Sequence, residues 1–74
     1  LKKYYKRLFL NKGEGTAFLE LTYEDGYGGV KIADCNRAVT LSIDTSNKKE
    51  KENSLHKIDV LISELSKYKT KLEV

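Results

Sequence analysis

Residues 17–43 read AFLELTYEDGYGGVKIADCNRAVTLSI. Apolar side chains fall there on alternate positions: Ala17, Leu19, Leu21 and Tyr23, then Val30 and Ile32, then Val39, Leu41 and Ile43. Successive residues of a strand point to opposite faces, so this alternation marks strands with one apolar and one polar face. Two breaks interrupt it, Asp25-Gly26-Tyr27-Gly28-Gly29 and Asp34-Cys35-Asn36-Arg37. Glycine, asparagine and aspartate tolerate the positive φ of tight hairpins, so both breaks read as turns. Upstream, beyond a third break at Asn11-Lys12-Gly13-Glu14-Gly15, Leu8 and Leu10 carry the same alternation. The expectation is a four-stranded antiparallel meander with strands at about 4–10, 16–24, 30–34 and 38–44.

Registers follow from keeping one face apolar. Leu10 opposite Ala17 and Leu8 opposite Leu19 do so for the first pair. Tyr23 opposite Val30 and Leu21 opposite Ile32 do so for the second, and Ile32 opposite Val39 for the third. The last choice leaves Cys35-Asn36 as a two-residue turn.

From about Asn53 the period lengthens. Leu55, Ile58, Leu61, Ile62, Leu65, Tyr68 and Leu72 recur at three and four residues, the stripe of an amphipathic helix over about 53–73. Asn53 or Ser54 can cap it, and Asn47 with Glu50 three residues later offers an earlier start. Lys67, Lys69 and Lys71 near its end suit the helix dipole. Thr45–Glu52 is polar and reads as a connector. The fold class is therefore α+β: one domain over residues 1–74, with the helix packed on the Leu/Val/Ile face and closing the core.

Seventy-four residues bury only about 60% of the unfolded surface. Cys35 is the sole cysteine, so no disulfide compensates, and a reducing cytoplasm is the expected compartment. Homodimerisation is the simplest way to add buried area. No apolar run approaches the roughly 20 residues that span a bilayer, and the basic start is not followed by a long apolar stretch, so neither a membrane span nor a signal peptide is expected. A net charge of +3 is mild; the basic clusters Lys2/Lys3/Lys6/Arg7, Lys48/Lys49/Lys51 and Lys67/Lys69/Lys71 do not demand an anionic partner.

Catalysis finds little support. His56, the single histidine, has no nucleophile or carboxylate placed beside it by spacing, and Cys35 sits at a hairpin tip. The glycines join strand to strand, whereas a phosphate loop leads from a strand into a helix. The acidic residues form no ligand series of the EF-hand kind, so neither a metal nor a cofactor is expected.

The informative surface is the other face of the sheet. It carries Tyr5, Arg7 and Phe9, then Phe18 and Glu20, then Lys31, with Phe9 opposite Phe18 and Arg7 opposite Glu20. One helix cannot cover both faces, so Tyr5, Phe9 and Phe18 are expected to form an exposed aromatic cluster. Tyr27 is expected at a mobile loop tip as a further contact residue. These residues suit a non-catalytic protein that binds a protein partner or itself stoichiometrically. The alternative is single-stranded nucleic acid, stacked on the aromatic rings and held by Arg7 and Lys31. A compact, lysine-rich, proline-free chain also suits the accessory or inhibitor proteins of phages and mobile elements.

Overall fold

The alternating stretch forms one antiparallel sheet. In the computed structural model, which describes residues 3–73, β1 (Lys3–Phe9), β2 (Phe18–Glu24), β3 (Tyr27–Asp34) and β4 (Arg37–Asp44) lie in the order β1-β2-β3-β4, followed by α1 (Lys48–Leu72). Lys2 of the first basic cluster lies outside the described residues.

The first and third registers are as expected, with Leu8 opposite Leu19 and Ile32 opposite Val39. The second differs by two residues. Leu21 faces Val30 and Tyr23 faces Gly28, so β3 starts at Tyr27 rather than near residue 30. The turn shrinks to Asp25-Gly26, both at positive φ (48° and 91°), the conformation that twists a two-residue hairpin in the same sense as its strands. A shift by two preserves which side chains share a face, so the apolar face is unaltered. At Gly28 the strands approach closely. A Cβ there would stand 3.0 Å from both Tyr23 Cα and the Thr22 carbonyl carbon, and nearer still to the Thr22 carbonyl oxygen.

The helix starts earlier than its apolar stripe. Asn47 caps it, its side-chain oxygen accepting a hydrogen bond from the Glu50 amide at 2.9 Å. Most of the expected connector is thus helical, because Lys48–Glu52 consists of good helix formers once a cap is in place. Two ties fix the helix start against the sheet. Ser54, which is buried, receives the Asp44 amide (2.9 Å) and donates to the Asp44 carbonyl (3.1 Å). Thr45 donates its amide to the Gly26 carbonyl (2.7 Å), while its hydroxyl lies 2.6 Å from the Tyr23 hydroxyl.

The helix does not close a core. It meets the sheet along β4, where Leu41 and Ile43 are half-buried and Val39, on the same face, is exposed. Glu50, Ser54, Ile58 and Leu61 form its covered line; from Ile62 to Glu73 every residue is exposed. The expected closure fails because 25 residues at about 1.5 Å rise make a rod of about 37 Å anchored at its beginning. Among the described residues Ala33 is the one buried hydrophobic side chain, still 7% exposed, and it belongs to the opposite face.

Candidate functional site

Pairing places the expected aromatic and basic residues in adjacent rows across β1, β2 and β3. One row is Phe9, Phe18 and Ala33; the next is Arg7, Glu20 and Lys31; the third is Tyr5, Thr22 and Gly29. Ala38, Thr40 and Ser42 continue these rows onto β4. Rings therefore stand over the first two strands, and on the last two the small residues Gly29, Ala33, Ala38, Thr40 and Ser42 make a lower shelf around Lys31.

Arg7 and Glu20 lie opposite one another but each turns to a diagonal partner. The Arg7 guanidinium carbon is 4.1 Å from the centroid of the Phe18 ring and 5.9 Å from that of Phe9. Lys31 Nζ is 5.7 Å from the Phe18 ring, so Phe18 is flanked by cations from both neighbouring strands. Each such contact contributes about 0.5–1 kcal/mol at an exposed site. Glu20 Oε2 accepts a hydrogen bond from the Tyr5 hydroxyl at 2.9 Å. Both diagonals run in one direction, as the right-handed twist of the hairpin dictates. The Glu20 carboxylate, chiefly through that hydrogen bond, raises the Tyr5 phenol above its ordinary range.

Tyr5 and Phe9 are 60% and 69% exposed, whereas Phe18 is half-buried between its cations. The aromatic cluster thus has two open rings and one that is partly occupied. Tyr27 is not at a loop tip. As the first residue of β3 it stands opposite Glu24 and Asp44, on the same face but four positions from Lys31, about 13 Å away at 3.3 Å per residue. It borders a shallow cleft of about 420 Å³ together with Lys3, Tyr4, Thr22, Tyr23 and Glu24. The face therefore has a compact cluster and a separate tyrosine at its far end.

Glu20 joins the site through its diagonal relation to Tyr5, which alternation alone does not specify. The shelf of Gly29, Ala33 and Ala38 was readable, as small residues on alternate positions. His56 is exposed in the third helical turn, and Cys35 is an exposed free thiol in the β3–β4 turn. Among the described residues no group of three or more His, Cys, Asp or Glu side chains could hold a metal ion, and no helix is long and apolar enough to cross a membrane. Searches against protein-family models, curated proteins and solved structures return no match to this chain.

Proposed function

We propose that this chain is a non-catalytic interaction protein that acts stoichiometrically, binding a protein partner through the face formed by Tyr5, Arg7, Phe9, Phe18 and Lys31. The observation that carries this reading is the Arg7–Phe18–Lys31 cluster between two open rings. Arginine and aromatic side chains held rigidly at the centre of a surface are the usual anchors of protein interfaces. The contacts to Phe18 and the Tyr5–Glu20 hydrogen bond fix these side chains in advance, which lowers the ordering cost of binding. The small-residue shelf beside them leaves room for a partner's side chains.

A single strand of nucleic acid fits this face less well. Base stacking needs free ring faces, and Arg7 already occupies Phe18. Glu20 places a carboxylate in the middle row, where phosphates would pass. An exposed unpaired thiol suits a reducing compartment, and we place the protein in the cytoplasm on that ground.

The test is capture from the source cell with wild type, Phe9→Asp and Arg7→Glu as paired baits. One protein retained by wild type in about equimolar amount and lost with both variants is the expected result. Equal retention by all three baits overturns the assignment of this face. Oligonucleotide binding that weakens steeply with salt and disappears in Arg7→Glu would replace the protein partner with nucleic acid.

A further inference from the structure

The chain exposes 6386 Å², whereas a folded monomer of its 8.5 kDa mass is expected to expose about 4,700 Å². Its radius of gyration is 14.1 Å, against about 11 Å for a compact domain of this length. The excess surface is about 1,700 Å², and the apolar side of the sheet and helix carries part of it.

Two apolar surfaces there lack cover. The first is the second half of α1. The helix line that packs on β4 through Ser54, Ile58 and Leu61 continues at the same three- and four-residue spacing as Leu65, Tyr68 and Leu72, which are 58%, 59% and 66% exposed. The second is a row across all four strands, Leu8–Leu19–Ile32–Val39, which lies beyond the helix-covered end of the apolar face. Its outer members, Leu8 and Val39, are exposed.

We infer that this apolar side is a homodimer interface, in which the second half of α1 and the open sheet row of one chain are covered by the same surfaces of a second copy. The area admits a second copy. A stable, specific interface covers about 800 Å² per chain, so an excess of about 1,700 Å² leaves enough surface for a dimer on the apolar side while the aromatic face stays open. A second copy supplies both a helix stripe and a sheet row to meet the first chain's pair. A two-fold axis makes such an arrangement closed and self-complementary. Small chains without a disulfide or metal commonly complete their core this way. The aromatic face points away from this side and stays free, so the dimer presents two copies of it.

Sedimentation equilibrium at tens of micromolar tests the proposal. Wild type is expected at twice 8.5 kDa. Leu65→Asp and Val39→Asp are each expected to weaken association at least a hundredfold, and Phe9→Asp, on the opposite face, to leave it unchanged. A wild-type monomer with native circular dichroism would overturn the proposal and give the apolar side to a different chain. Dissociation by Phe9→Asp but not by Leu65→Asp would overturn it too, by moving the contact to the aromatic face. Should Leu65→Asp fail to fold, the wild-type melting midpoint decides. A rise of several degrees over a hundredfold increase in concentration supports the dimer, and a concentration-independent midpoint refutes it. Failure here leaves the binding face intact, because that reading rests on variants of the other side.

Discussion

Replacing Gly28 by alanine interrogates the register on which both faces depend. The added methyl would sit 3.0 Å from Tyr23 Cα and from the Thr22 carbonyl carbon, and closer to the Thr22 carbonyl oxygen. All three belong to backbone, which cannot rotate away as a side chain could. Relief requires β2 and β3 to part where Gly28 faces Tyr23. Overpacking of this kind costs about 1–3 kcal/mol, and loss of one or two ladder hydrogen bonds adds about 1 kcal/mol each. The sum, about 2–5 kcal/mol, is a large share of the roughly 4–11 kcal/mol expected for a chain of this length. At about 4–8 °C per kcal/mol, the melting midpoint should fall by roughly 8–40 °C. Gly13→Ala is the matched control, since a Cβ at Gly13 meets nothing within 4 Å. Thermal melting by circular dichroism reads both. An unchanged midpoint in Gly28→Ala would refute the register and return Gly28 to a loop, with β3 starting near Val30.

Ser54→Ala removes the hydroxyl that serves both the amide and the carbonyl of Asp44. Two polar groups then lose a partner in a part-buried site, and urea denaturation should show a loss of about 1–3 kcal/mol. Cys35, at φ 54°, occupies the left-handed region that L side chains resist, so Cys35→Gly should raise stability by about 1 kcal/mol in the same assay. The Tyr5 phenol should titrate above its ordinary 10.0 in ultraviolet difference spectra, and Glu20→Gln should bring it down. Because the folded value is the higher one, the associated stability is fully present below the unfolded pKa and is lost as pH rises through the folded pKa.

Much of this architecture was legible in the residues, and the failures share a cause. Alternation from Leu8 to Ile43 reports which side chains share a face, and all of those assignments hold. It is blind to a slip of two residues, which conserves every face. The Asp25-Gly26 dipeptide carried the missing information, being a favoured two-residue hairpin turn, but Gly28 and Gly29 beside it read as more loop. Lys48–Glu52 read as a connector because it lacks apolar residues, although Asn47 and Glu50 already spelled a cap. That the helix leaves half of its stripe uncovered was not legible at all. Its direction is set by the Ser54–Asp44 and Thr45–Gly26 ties, which are tertiary contacts without a periodic signature. On the aromatic face, the rows of Phe9 with Phe18 and Arg7 with Glu20 followed from register, whereas the diagonal choices of Arg7 and Tyr5 came from twist. Tyr27 moved from loop to strand with the same two-residue correction.

Hydroxyl-radical footprinting of the tyrosines tests the account most directly, because the isolated chain supplies its own reference. Tyr5, Tyr27 and Tyr68 are 60%, 60% and 59% exposed, so a monomer would oxidise all three at similar rates. A chain that is paired through its apolar side and free on its aromatic face should protect Tyr68 several-fold while Tyr5 and Tyr27 stay reactive. Equal oxidation of the three would contradict the pairing, and protection of Tyr5 with Tyr68 reactive would reverse the roles of the two faces.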